Sequence, residues 1–181
     1  GCGWGGMVRH AALHHGVQAL GITLSAQQAE HATAAVREAG LEGRVTIELR
    51  DYRDLGGQQF DAISSIGMFE HVGGALRDTY FTTLLGLLRP GGRLLNHAIS
   101  RPSGEGALGR RTFIQRYVFP DGELMEVGRV VTAMQELGFE VRDVESLREH
   151  YALTLRRWVA NLEAAWDRAV ELVGDGRARV W

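Results

Sequence analysis

The chain has 181 residues, 45% of them hydrophobic and 23% charged, a composition that suits one globular domain with a substantial core. A net charge of −2 leaves no basic footprint for nucleic acid, and the single cysteine, Cys2, excludes an internal disulfide framework and fits a reducing, cytoplasmic setting. No apolar run approaches the roughly 20 residues that span a bilayer, and no secretory leader is visible.

The chain opens on Gly1-Cys2-Gly3-Trp4-Gly5-Gly6. A glycine-rich loop of this kind normally follows the central first strand of a doubly wound sheet, and no such strand precedes it. The sequence therefore reads as a fragment cut at both ends. Gly1, Gly3 and Gly6 spell G-x-G-x-x-G, a weak match to the dinucleotide fingerprint. A helix is expected over Met7–His15, ended by Gly16. A strand follows over Val17–Thr23. It runs into Leu24, Ser25 and Gln28 with no acid until Glu30, which counts against NAD.

Ser25 is a good N-cap for a helix over Ala26–Ala39. Val45–Leu49 reads as the next strand, followed by Asp51-Tyr52-Arg53-Asp54. Phe60–Ile66 is a further buried strand. It turns at Gly67 and delivers Glu70 and His71 just past its carboxyl end, where ligands sit in open α/β sheets. A carboxylate there is a candidate base or anion-site residue. The same pair would equally serve to cap and solvate the following helix.

That helix is expected over Ala75–Leu88, closed by the turn Arg89-Pro90-Gly91-Gly92, with a strand over Arg93–Ile99 that brings His97 and Ile99 to its end. Residues 101–124 form a polar, arginine-bearing insertion that reads as a lid. Its Arg101, Arg110, Arg111 and Arg116 suit either anionic headgroups or plain solvation. A helix over Glu126–Leu137, an edge strand over Phe139–Leu147 and a last helix over His150–Val173 complete the sequence. The last helix carries Tyr151, Leu155, Trp158, Leu162 and Trp166 at helical spacing, so Trp158 and Trp166 read as packing residues. Tyr151 falls on that buried face, where its hydroxyl needs a partner.

Strands alternating with helices at this spacing argue an α/β fold with a doubly wound, mostly parallel sheet. The crossover rule places the glycine loop, Thr23–Gln28, Tyr52, Glu70 and His97 along one edge. No internal repeat is present.

The segments GCGWGG, GITLSAQQ, SSIGMFEHVG, LRPGGRLLNHAIS, FIQRYVFPDGEL and LREHYALTLRRW together resemble the cyclopropane-fatty-acyl-phospholipid synthases, including the mycolic acid cyclopropane synthases. The resemblance spans nearly the whole length in the family's order. It implies a single class I methyltransferase domain that binds S-adenosylmethionine. Gly1, Cys2 and Gly3 would approach the amino-acid part of the cofactor. Thr23, Leu24, Ser25 and Gln28 would lie near the ribose, Tyr52 and Arg53 beside the adenine, and Ile66 and Gly67 on the other side.

It further implies cyclopropane formation on the cis double bonds of unsaturated phospholipid acyl chains, met at the inner membrane surface by a peripheral protein, possible as a homodimer. Methyl transfer to an alkene makes a carbocation, and loss of a proton from the bridging methyl closes the ring, so a base must sit close. In the family that base looks like bound bicarbonate, and Glu70, His97, the backbone at Ile99 and Tyr151 match the residues that hold it. No metal is implied. The family also places a cysteine of this site in an upstream segment and another cysteine past Trp181, so the fragment is expected to be inactive alone. Two alternatives stay open: a fatty-acid C-methyltransferase or small-molecule methyltransferase, and a cofactor-binding module without catalysis.

Overall fold

A computed structural model describes residues 1–104 and 112–181 of the protein, arranged as two compact units. The first takes in residues 1–104 and 123–139, the second 112–122 and 140–181.

In the first unit, helices and parallel strands alternate as expected: α1 (Gly6–His15), β1 (Ala19–Thr23), α2 (Ala26–Glu38), β2 (Val45–Leu49) and β3 (Phe60–Ile66). Then come a one-turn α3 (Phe69–Val72), α4 (Arg77–Leu87), β4 (Leu88–His97), β5 (Ser100–Arg101), β6 (Met125–Glu126) and α5 (Val127–Glu136). Ser25 caps α2 by accepting from the Gln28 N–H, as its residue type predicts. Gly16 ends α1 in the left-handed conformation, at φ 65°.

Among the described residues the strands hydrogen-bond as three parallel pairs, β1–β2, β3–β4 and β5–β6. The expected continuous sheet is seen in this divided form. The glycine loop lies between the first two pairs. The Cys2 N–H donates to the Ile22 carbonyl of β1 at 2.6 Å, while the Gly1 nitrogen sits 2.8 Å from Met68 Sδ, just past β3.

Two apolar clusters hold the layers together. Ala12, Val36, Leu41 and Val45 join α1 and α2 to the β1–β2 pair. Phe69, Tyr80, Phe81 and Leu84 fill the space over β3 and β4, with Ile63, Leu94, Met134 and Phe139 packed around them. Full burial of each large side chain is worth roughly 1.5–3 kcal/mol, so this second cluster anchors α3 and α4.

Several sequence expectations are corrected. Arg89-Pro90-Gly91-Gly92 is not a turn ahead of a strand. Phe60 pairs with Leu88 and Ala62 with Arg93, so these residues bulge out of one strand that begins at Leu88. Gly91 at φ 78° supplies the left-handed step, and Arg89 grips Asp61 across the bulge at 2.6 Å. The strand ends at His97, short of Ile99. Phe139–Leu147 forms no strand despite its alternation, because it gains no pairing partner among the described residues.

In the second unit the expected single long helix is two, α6 (Arg148–Ala164) and α7 (Trp166–Val173), broken at Ala165, followed by α8 (Asp175–Ala178). A five-residue π-helical turn spans Ile114–Val118. Tyr151 and Trp158, expected in a core, are 39% and 57% exposed and pack edge-on against each other at 6.1 Å. Periodicity marks a stripe but does not supply the surface that covers it. Among the described residues, no helix is long and apolar enough to cross a membrane.

Candidate active site

The site is built on the carboxyl ends of β1, β2, β3 and β4. Parallel pairing in register, Ile66 beside His97, brings the ends of β3 and β4 level. The Gly67 N–H then donates to the His97 carbonyl at 3.0 Å, with Gly67 at φ 60° turning the backbone over the sheet. That turn starts α3, whose second residue is Glu70.

Glu70 is 7% exposed. Its Oε1 accepts from the Ile99 main-chain N–H at 2.7 Å, while Oε2 is buried with no protein partner. His97 Nδ1 is likewise buried and unpartnered. An unmade hydrogen bond at a buried polar atom costs about 1–3 kcal/mol, more for a charged group. Glu70 stands in α3 just past β3 and His97 at the end of β4, so either atom can be met by a water or a small bound ion. The chemistry of the two groups is compatible with bicarbonate, which has one O–H donor and acceptor oxygens besides.

Underneath lies a polar network that sequence reading gave no role. The Tyr80 hydroxyl of α4 hydrogen-bonds to Ser65 Oγ at 2.6 Å and to Asn96 Oδ1 at 3.1 Å. Tyr80 is fully buried, and burial pushes its phenol up to about 12. It ties the residue before Ile66 to the residue before His97. Its ring also meets Phe69 at 5.4 Å and Tyr52 edge-on at 5.5 Å. In the sequence Tyr80 is one apolar position of a helix, and only the fold reveals its reach.

On the other side, Thr23 is 4% exposed and its Oγ1 donates to Gln28 Oε1 at 2.7 Å while accepting from the Ser25 N–H at 3.1 Å. A neutral hydroxyl–amide pair thus closes the end of β1. Leu24 stands 74% exposed beside it. Past β2, Arg53 holds Asp51 through two hydrogen bonds of 2.9 and 2.7 Å and reaches over the Tyr52 ring at 5.9 Å. The Arg53 side-chain hydrogen bond draws the Asp51 carboxyl below its ordinary value, and burial raises the Tyr52 phenol. Burial also raises the Cys2 thiol, whose Sγ donates to the Gly3 carbonyl.

The glycine loop is sterically committed. A Cβ at Gly21 would fall 2.9 Å from Ile47 Cδ1 and 3.1 Å from Cys2 Cβ, so only glycine lets the loop lie against β1. The fold therefore brings Glu70 beside Ile99, two residues past His97, and sets Thr23–Gln28, Tyr52–Arg53 and Ile66–Gly67 past the ends of β1, β2 and β3, with the glycine loop between the two strand pairs. Tyr151 belongs to the second unit.

The family model for mycolic acid cyclopropane synthetase matches residues 1–181. The protein belongs to that family. It is 49% identical over its whole length to a protein of Mycobacterium tuberculosis named a probable fatty acid methyltransferase, covering 42% of it. It is 41% identical over 171 residues, 94% of its length, to the cyclopropane-fatty-acyl-phospholipid synthase of Escherichia coli, covering 43% of that protein. The solved mycolic acid cyclopropane synthase CmaA1, complexed with SAH and CTAB, superposes with a TM-score of 0.88 at 30% identity, covering 99% of this protein and 67% of the other. The 181 residues thus span less than half the length of these curated relatives. The mycolic acid cyclopropane synthetase family member described here has the Rossmann-like methyltransferase fold that its sequence implied.

Two arginines of the 101–124 stretch make contacts within the protein. Arg101 is taken up by Glu126 at 2.9 Å and by the Leu124 carbonyl at 3.0 Å, so it is not available to a headgroup. Arg116 lies over the Tyr117 ring at 5.3 Å. Arg110 and Arg111 lie outside the described residues.

Proposed function

We propose that the full-length protein is an S-adenosylmethionine-dependent cyclopropane synthase acting on the cis double bonds of unsaturated phospholipid acyl chains. The observation that carries this reading is the pair of buried, unpartnered atoms, Glu70 Oε2 and His97 Nδ1, beside the strand ends that line the cofactor loops.

In this reading Gly1, Cys2 and Gly3 admit the amino-acid end of S-adenosylmethionine, since a Cβ at Gly1 or Gly3 would meet nothing within 4 Å. Thr23, Leu24, Ser25 and Gln28 meet the ribose without a carboxylate. Tyr52 and Arg53 border the adenine, and Ile66 and Gly67 close the other side. Glu70, fixed at one oxygen by the Ile99 N–H, keeps its second oxygen for the ion, and His97 aligns it from the neighbouring strand. Bicarbonate, when bound, supplies the base that removes the proton from the bridging methyl. The Glu70 carboxylate places negative charge where the substrate becomes cationic. Tyr151 matches the tyrosine of the HYxxTLRxW motif, and its assignment to the ion rests on that motif. The protein meets the membrane peripherally and transiently.

A second reading, a fatty-acid C-methyltransferase that quenches the same cation differently, is favoured by the name of the 49%-identical relative. One experiment separates them. The full-length gene is expressed in a bacterium lacking cyclopropane lipids, and fatty acid methyl esters are analysed by gas chromatography with mass spectrometry. A product one methylene heavier, with a three-membered ring and no double bond, supports the synthase. A branched or methylene-bearing product moves the protein to the C-methyltransferases, and an unchanged profile with folded, cofactor-binding protein rejects both.

A further inference from the structure

α3 is a single turn, Phe69–Val72, and a lone helical turn has too few internal hydrogen bonds to hold its own shape. Something outside it must fix the backbone that aims Glu70. Packing of Phe69 fixes one side. The other constraint comes from one residue remote in sequence.

The main-chain N–H of Glu123 donates to the Glu70 carbonyl at 2.8 Å. Its side-chain Oε2 accepts from the Gly74 N–H, also at 2.8 Å. Glu123 therefore holds the backbone at residue 70 and again four residues later, on either side of the turn at Gly73. That turn has φ 76° and ψ 157°, a conformation that L side chains avoid. Gly73 also stands at the N-cap of the next helical turn, Gly74–Leu76, and has no side chain to cap it. The Glu123 carboxylate provides that acceptor from outside, as a charge-assisted hydrogen bond at a helix start. A Cβ at Gly73 or Gly74 would lie 3.3 Å from its oxygens, close enough to crowd the carboxylate.

We propose that Glu123 is a positioning residue that sets the Glu70 carboxylate by clamping α3 at both ends. It touches neither reacting atoms nor ion in this reading. The role rests on the anion-site assignment of Glu70 above. Glu123 is also the residue at which the polypeptide returns to the first unit after residues 112–122 of the second.

The test uses the full-length protein with Glu123→Ala and Glu123→Gln. Backbone amide exchange is followed over residues 69–76, and turnover is followed by release of S-adenosylhomocysteine over phospholipid vesicles. In Glu123→Ala, exchange at Gly74 and through α3 accelerates about tenfold or more. Turnover, kcat, falls about 10- to 100-fold, as a misplaced catalytic group does, while KM for S-adenosylmethionine stays within about twofold. Glu123→Gln, which keeps an acceptor oxygen, restores most of both.

Faster exchange with unchanged kcat overturns the positioning role. So does a parallel loss of kcat, cofactor KM and melting temperature that Glu123→Gln fails to rescue, since that marks general structural damage. If the wild-type protein makes no product, the functional reading fails separately. Exchange then decides the clamp alone, and unaltered protection of Gly74 in Glu123→Ala rejects it.

Discussion

The Ile99 main-chain N–H reaches Glu70 Oε1 at 2.7 Å and leaves Oε2 buried without a partner. The bond crosses from the loop after β4 to the helix after β3. It thus locks one carboxylate oxygen and leaves the other without a protein partner. Glu70→Gln keeps the acceptor for Ile99 but puts an amide where Oε2 was, or the reverse, and removes the charge. Product formation by the full-length enzyme is expected to fall about 100- to 1,000-fold, the scale for loss of one preorganised electrostatic partner. Cofactor affinity, read by calorimetry with S-adenosylhomocysteine, should change less than about threefold. Equal losses in both would place Glu70 in the cofactor site instead.

Tyr80→Phe strips the hydroxyl from Ser65 and Asn96 and leaves both groups short of a partner under the site. Stability in urea is expected to drop by about 1–3 kcal/mol. Adding Ser65→Ala should recover part of that loss, because it removes one of the stranded groups. A Tyr80→Phe protein as stable as wild type would show that the network is satisfied by water.

The same phenol predicts a pH dependence. Its folded-state value is raised from 10.0 to about 12 by burial. The unfolded protein therefore releases this proton first as the pH rises, and the stabilisation is complete below about 10 and is lost on passing through about 12. Unfolding free energy measured across that alkaline window should decline, and Tyr80→Phe should flatten the decline.

Gly5 stands at φ 81° with Ala32, which is fully buried, directly against it. A Cβ there would lie 2.9 Å from Ala32 Cβ. Gly5→Ala is expected to cost about 1–2 kcal/mol for the left-handed backbone, plus the clash. Ala32→Gly in the same protein should relieve the clash and leave the backbone term. Thermal melts of the single and double variants separate the two contributions.

Thr23→Val removes the hydroxyl that links Gln28 to the Ser25 N–H, leaving a neutral pocket with no fixed donor geometry at the end of β1. Affinity for S-adenosylhomocysteine in the full-length protein should weaken about fivefold to tenfold, roughly one hydrogen bond's worth. Unchanged affinity would remove Thr23 and Gln28 from the ribose.

The sequence by itself determined the alternation of helices and strands from α1 to β4, the strand ends that carry the candidate site, and the family. Those depend on short-range rules: Ser25 caps because a hydroxyl reaches Gln28's N–H, Gly16 ends a helix because it adopts positive φ, and the FEHVG and GCGWGG motifs are contiguous. Glu70, His97 and Ile99 were legible for the same reason, each standing at or just past the end of a readable strand. Tertiary structure decided what depends on partners far away in the sequence. Leu88–Gly92 joined a strand because β3 offered a register with a bulge, whereas Phe139–Leu147, with an equally strand-like alternation, met no pairing partner among the described residues. The long C-terminal helix broke at Ala165, and its stripe of Tyr151 and Trp158 remained exposed. Tyr80 and Glu123 gained their roles only when folding carried a helix face and a loop residue to Ser65, Asn96, Glu70 and Gly74. Local backbone preference is written residue by residue, but a hydrogen bond between groups dozens of residues apart exists only once folding has closed the distance.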